Sequence, residues 1–338
     1  MEIGIITFHN VNNYGAVLQC YALSEILKNK GYKVELINLP LHSKSKKIRA
    51  IVSGKLSSAA FKSFRINFLP NTVESDNLKD LYIFGSDQIW NLDITKSNFK
   101  LYFGSWIKKE VPKIAYAASF GNSKWNNQDN KEDVKKLLNS FSSIGIRESS
   151  GVKICEKEFS IKCDKVLDPT FLLNNYDFLL KKINLSKLMV CYIFGKDELK
   201  INELKKIANK KNLKPVLLSD VRLRKDIKSI PFPTVSKWLS YLNTSELILT
   251  DSFHCMVFAI LFKKNFIAIP AIPDRVDRMV SLLSDLGLKS RFFKNIQEVF
   301  NSEVLEEDID YKLVDEKLEK LKVESFNFLE KSLKTIEL

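Results

Sequence analysis

The chain has 338 residues, 45% of them hydrophobic and 28% charged, with 53 Lys and Arg against 40 Asp and Glu and a formal charge of +13. This length suits two domains, and the composition excludes a disordered chain and leaves enough apolar residues to fold without disulfide or metal staples. Five scattered cysteines (Cys20, Cys155, Cys163, Cys191 and Cys255) form no CxxC pair, which excludes a secreted disulfide framework and a zinc site, and no run of 18 apolar residues could span a membrane.

In chain order, Glu2–Phe8 is an apolar run with no basic stretch before it, so it reads as a buried strand and not a signal peptide. Gly15–Lys30 has helical apolar spacing, with Gly31 placed to end the helix, and Lys33–Leu39 returns as a strand. Two strands joined by a helix imply a right-handed parallel crossover. Residues 41–70 read as a helical insertion. It holds the one dense basic cluster, Ser43-Lys44-Ser45-Lys46-Lys47-Ile48-Arg49, near Phe61, Phe64 and Phe68. Such a stretch suits peripheral contact with a membrane face, and equally an ordinary packed helix. Three further apolar runs, Leu81–Phe84, Lys113–Ala117 and Ser143–Arg147, each lead into a Gly- or Ser-bearing loop, and a last strand is expected over Ile161–Pro169. In an open parallel sheet such loops gather at the carboxyl ends of the strands, where ligands bind.

A second alternation follows a boundary at about 170–187. Strands are expected at Leu188–Phe194, Pro215–Ser219, Glu246–Thr250 and Asn265–Ile269, with helices at Asp197–Lys211, Val235–Leu242 and Phe253–Phe262. Residues 311–336 form a long charged helix with an apolar stripe. The expected fold is therefore α/β, with two Rossmann-like domains, 1–170 and 185–338, facing a cleft.

Four segments carry candidate chemistry. In Thr250-Asp251-Ser252-Phe253-His254, a buried strand runs into an apolar helix whose start attracts anions, so His254 could bind an anion or move a proton. It could equally be a histidine packed against a capped helix. Arg147, at a strand end, suits a bidentate clamp on phosphate or carboxylate, or an ion pair. In Gly85-Ser86-Asp87-Gln88-Ile89-Trp90, Asp87 could activate a sugar hydroxyl and Trp90 stack on a sugar face; the plain alternatives are an Asx turn and a core indole. Asn13 and Tyr14 open the first helix in a loop of small residues. The fingerprints GxGxxG, GxxxxGK[ST] and HExxH are all absent, which removes the simplest NAD, ATP and metalloprotease readings.

Together, NYGAVLQCYAL (13–23), FGSDQIWN (84–91), ASFG (118–121), IRESSG (146–151), DPTFLL (168–173) and TDSFHCMVFAILF (250–262) resemble the polysaccharide pyruvyl transferase family, in family order. The resemblance implies a GT-B-like fold and transfer of a pyruvyl group from phosphoenolpyruvate to a sugar hydroxyl pair, forming a ketal. It implies donor contacts by Arg147, His254 and Arg275, with Arg278 a close competitor for the third; Ser252 at the helix start reinforces the donor side, and Asn13, Tyr14, Asp87, Gln88 and Trp90 are the acceptor-side candidates. His254, Arg147 and Asp87 are the catalytic candidates, and neither metal nor cofactor is expected. The acceptor implied is a bacterial surface glycan or its lipid-linked oligosaccharide precursor, met in the cytoplasm or at the inner face of the membrane. The family usually has Gly after that histidine, where this chain has Cys255. Two other readings remain open at this stage. One is a GT-B glycosyltransferase with a nucleotide-sugar donor. The other is a non-catalytic binder of nucleic acid, suggested by the charge but supported by no nucleic-acid motif.

Overall fold

The computed structural model describes residues 1–40, 51–194, 198–219, 226–272 and 276–337, apart from the side chains of residues 51–56, 219 and 337. The chain runs β1 (Glu2–Ile6), α1 (Tyr14–Asn29), β2 (Lys33–Asn38), α2 (Ile51–Phe68), β3 (Thr72–Glu74), β4 (Leu81–Phe84), and the one-turn helices α3 (Leu92–Thr95) and α4 (Phe99–Tyr102). It continues through β5 (Lys113–Ala118), α5 (Lys131–Leu138), β6 (Ser143–Ile146), α6 (Ser149–Phe159) and β7 (Asp164–Lys165). A second series follows: β8 (Leu188–Tyr192), α7 (Glu198–Lys210), β9 (Lys214–Ser219), β10 (Lys228–Pro231), α8 (Val235–Thr244), β11 (Leu247–Thr250), α9 (Phe253–Leu261) and β12 (Asn265–Ala268). Helices α10 (Asp277–Leu286), α11 (Gln297–Phe300) and α12 (Tyr311–Glu337) close the chain.

The strands form two sheets, ordered β3-β2-β1-β4-β5-β6-β7 and β10-β9-β8-β11-β12, and every pairing in both is parallel. Each order reverses once, at β1/β4 and at β8/β11, as in a doubly wound Rossmann-like sheet. Central strands are apolar without alternation because both faces are covered. Leu81 and Ile83 of β4 join one core with Ile3, Ile5, Leu23 and Leu27, while Tyr82 and Phe84 join another with Trp90, Phe103 and Phe120. The second sheet buries Met189, Cys191, Leu249 and Ile267 against Ile201, Leu204 and Ile207 of α7.

Close packing divides the chain into two compact units. One comprises Met1–Lys47, Phe68–Asn174 and Leu318–Leu338; the other comprises Ile48–Asn67 and Asn175–Lys317. The division is not contiguous, which departs from an assignment of 311–336 wholly to the second domain. The physical reason is local: Leu329 and Leu333 of α12 are buried with Ile26 and Leu27 of α1, and Lys30 pairs with Glu330 at 2.6 Å. The expected basic cluster at residues 43–49 lies outside the described residues. In α2, Phe61 and Phe64 are buried and Arg65 lies over the Phe61 ring at 5.6 Å. Among the described residues, no helix is long and apolar enough to cross a membrane. The strand expected over Ile161–Pro169 shrinks to the two residues of β7. The short edge strands β3 and β10, polar or proline-bearing, carry no apolar signal and were not expected.

Candidate active site

In the first unit, the carboxyl ends of β1, β4, β5 and β6 hold the polar motifs. Asn13 caps α1, its side-chain oxygen accepting from the Ala16 N–H at 3.1 Å, and Tyr14 is buried at the first helical position. Thr7, just past β1, donates its hydroxyl to the Ser86 carbonyl at 2.7 Å and accepts from Gln19 Nε2 at 2.8 Å. This ties the loops on the two sides of the topological switch point together. Asp87 has φ of 87°, a conformation that costs an L residue strain and that is common at functional turns. Its Oδ1 accepts from the Gln88 N–H at 2.8 Å, and its backbone carbonyl receives the Ser119 N–H of the β5 loop. Gln88 lies against Gly121, where a Cβ would come within 2.1 Å of the Gln88 amide oxygen, so that position requires glycine.

Arg147 follows β6 and is buried, its side chain only 2% exposed. Nη1 donates to Asp168 Oδ2 at 2.8 Å and to Ser86 Oγ at 3.1 Å, and Ser86 Oγ itself donates to the same Asp168 oxygen at 2.8 Å. Nη2 lies 3.7 Å from Asp87 Oδ1. Burial disfavours the charge, but Asp168, Asp87 and Glu148 outweigh it and hold the guanidinium proton more tightly than usual. The neighbouring Glu148 carboxylate accepts from Ser119 Oγ at 2.9 Å and from the Phe120 N–H at 3.1 Å, anchoring the ASFG loop.

In the second unit, the carboxyl ends of β8 and β11 meet at the switch point. Thr250 donates its hydroxyl to the Tyr192 carbonyl at 2.7 Å, and the two oxygens of Asp251 lie 2.9 and 3.0 Å from the Phe194 N–H they share. Burial pushes the Asp251 carboxyl up to about 7, partly offset by the Phe194 N–H and by Lys200, whose ammonium is 4.0 Å away. Ser252 caps α9, its Oγ accepting from the Cys255 N–H at 3.4 Å, which leaves the first turn of that helix facing the strand ends. His254 is buried in that turn, its ring edge-on to Phe253 at 5.2 Å. The Arg278 guanidinium sits over the same Phe253 ring, 5.6 Å from its centre. Cys255 is fully buried, so the side chain that replaces the family's usual glycine turns into the unit.

Within the first unit the structure thus gathers Asp87, Gln88 and Arg147 at the carboxyl ends of β4 and β6, and within the second it gathers Ser252, His254 and Arg278 around the start of α9. Arg275 lies outside the described residues. Trp90 requires correction: it is 0% exposed, stacked on Phe103 at 5.1 Å, and its indole N–H donates to the Tyr102 carbonyl at 3.0 Å. It is a core anchor beneath the loop and offers no face to a sugar. Three buried groups at these sites were not singled out from the sequence: Ser86, Asp168 and Asp251. Asp168 had a signal, since Asp-Pro-Thr is a capping sequence, but its guanidinium partner is 21 residues away.

Comparison with known proteins adds the following. The sequence model of a family described as polysaccharide pyruvyl transferase matches residues 13–271, most of the chain. No curated protein matches. Among solved structures, the UDP-N-acetylglucosamine 2-epimerase of Rickettsia bellii is similar, with a TM-score of 0.56 and 12% identity over 99% of this chain and 96% of that one. UGT89C1 of Arabidopsis thaliana gives 0.54 and 12% over 100% and 99%. An O-GlcNAc transferase mutant of Thermobaculum terrenum gives 0.51 and 10% over 99% of this chain and 67% of that one. At such identities the likeness speaks to the fold, which is GT-B-like with two Rossmann-like units.

Proposed function

The chain belongs to the polysaccharide pyruvyl transferase family, and we propose that it moves a pyruvyl group from phosphoenolpyruvate to a pair of hydroxyls on a bacterial surface glycan or its lipid-linked precursor. One observation carries this reading. The motif residues Asp87, Arg147, Ser252 and His254 all stand just past the carboxyl ends of parallel strands, where open α/β sheets bind ligands.

Ketal formation needs a proton on the methylene carbon of the enol phosphate, which places positive charge on the adjacent carbon. A first hydroxyl attacks there and loses its proton; the phosphate leaves, and a second hydroxyl closes the ring and loses its own. One proton ends in the new methyl group and the other on the released phosphate, so the reaction is balanced. The protein must then supply cations for the phosphate and carboxylate, an acid, and a base. Arg147 and the α9 start at Ser252 suit the donor's charges, with Arg278 or Arg275 as the third cationic contact. His254 is the candidate acid, because imidazole exchanges protons near neutral pH. Asp87, whose Oδ1 accepts from the Gln88 N–H and lies 3.7 Å from Arg147 Nη2, is the candidate base for the sugar hydroxyl. Asn13, Tyr14 and Gln88 frame the acceptor side, and the acceptor is presented at the cytoplasmic face of the membrane.

Calorimetric titration with phosphoenolpyruvate, UDP and GDP tests the proposal. Phosphoenolpyruvate should bind to the unmodified protein and not to Arg147→Ala. Binding of a nucleotide diphosphate without phosphoenolpyruvate would replace this reading with that of a nucleotide-sugar glycosyltransferase.

A further inference from the structure

Asp168 belongs to the DPTFLL segment, to which the reading above gives no role. Its carboxylate is fully buried and each oxygen has a distinct task. Oδ1 accepts from the Thr170 N–H at 3.1 Å and the Thr170 hydroxyl at 2.7 Å, so the short turn Pro169–Phe171 holds it rigidly. Oδ2 accepts from Ser86 Oγ at 2.8 Å and Arg147 Nη1 at 2.8 Å. Three separate chain segments, those following β4, β6 and β7, therefore converge on one carboxylate.

We propose that Asp168 is a positioning residue for Arg147: held by Thr170, it sets the guanidinium through Nη1 and so directs the rest of that group toward Asp87 and a bound anion. A carboxylate whose task was only to cap the Pro169–Phe171 turn would need Oδ1 alone. The Oδ2 side, shared between a hydroxyl and a guanidinium from different loops, is what a device for aiming Arg147 requires. The inference rests on the reading of Arg147 as a donor-binding residue, and the test separates the two.

The variants are Asp168→Asn and Thr170→Val, with Arg147→Ala as the reference that does not bind the donor. Two quantities are read: phosphoenolpyruvate affinity by calorimetry, and exchange of the Arg147 Nε–H with water by NMR. Asp168→Asn keeps the acceptor for Thr170 but places an amide N–H where Arg147 donates. It should weaken donor binding by roughly 10–100-fold, the worth of a hydrogen bond to a charged group. It should also accelerate Nε–H exchange. Thr170→Val, which keeps the Asp168 charge and protects against a misfolded Asp168→Asn, should move both readouts in the same direction by less. Unchanged donor affinity, or unchanged Nε–H exchange, in both Asp168→Asn and Thr170→Val would overturn the proposal. Altered exchange in a protein that never binds phosphoenolpyruvate would leave the positioning role standing and remove the pyruvyl donor.

Discussion

Asp168 in the first unit and Asp251 in the second occupy comparable places, each just beyond the carboxyl end of a parallel sheet and each almost wholly buried. Asp168 meets a guanidinium at 2.8 Å and three further donors from Ser86 and Thr170. Among the described residues, Asp251 has the backbone N–H groups of Phe194 and of Asp251 itself, and the Lys200 ammonium at 4.0 Å. The difference teaches how burial acts on a carboxylate. Where a cation is buried with it, the neighbouring carboxylates hold the guanidinium proton more tightly than usual. Where compensation is thin, desolvation dominates and the group titrates near neutrality. The first unit thus buries a carboxylate with its cation, while the second buries one, Asp251, whose carboxyl is pushed up by desolvation.

The contrast can be broken most forcefully at Arg147. Arg147→Ala leaves Asp168 buried without its cation and should destabilise the protein by about 3–5 kcal/mol in urea titrations, a cost characteristic of a broken buried pair. Little or no loss would mean that the first unit does not depend on charge pairing. At the other site, His254→Ala should lower pyruvyl transfer by roughly 10²–10⁴-fold while leaving the urea midpoint nearly unchanged; near-normal turnover would remove His254 as the acid.

The comparison is sharpened by pH. The Asp251 carboxyl is raised from the ordinary 3.8 to about 7, so the folded state holds this proton more tightly than the unfolded one. That contribution to stability is full below pH 3.8 and is lost as the pH rises through about 7, amounting to roughly 4 kcal/mol at most. Among the described residues, Lys200 and Cys255 are titratable groups that interact with it. Melting temperatures between pH 5 and pH 8 should fall more steeply for the unmodified protein than for Asp251→Asn, which keeps an acceptor for Phe194 and no longer ionises. Parallel curves would contradict the assignment. The smallest effect is expected at Trp90, where Trp90→Phe should cost about 1 kcal/mol from the indole hydrogen bond to Tyr102 and leave acceptor use intact. A selective rise in acceptor KM would restore a sugar-binding role to that residue.

Much of this architecture is legible along the chain because its determinants are local. Apolar runs such as Leu81–Phe84 and Leu247–Thr250 are strands whatever surrounds them, and Ser252 before an apolar helical stretch caps α9 by spacing alone. Gly31, with φ of 88°, ends the first helix where a glycine suits the left-handed turn. Other features carry no local trace. Trp90 looks the same in sequence whether it stacks on a sugar or on Phe103, and only the packing of Phe103, Phe120 and Phe141 around it decides.

The order of elements, the parallel crossovers, the polar strand-end loops and the identity of the family are therefore written in short-range pattern, where hydrophobic periodicity and capping act over a few residues. The partners of the buried charges are not. Arg147 finds Asp168 21 positions away and Ser86 61 positions away, and Asp251 finds the Phe194 N–H 57 positions away. Whether a buried carboxylate stays charged or titrates depends on what the fold brings within 3 Å of it, and that distance is set by sheet order and loop closure, not by neighbours in sequence.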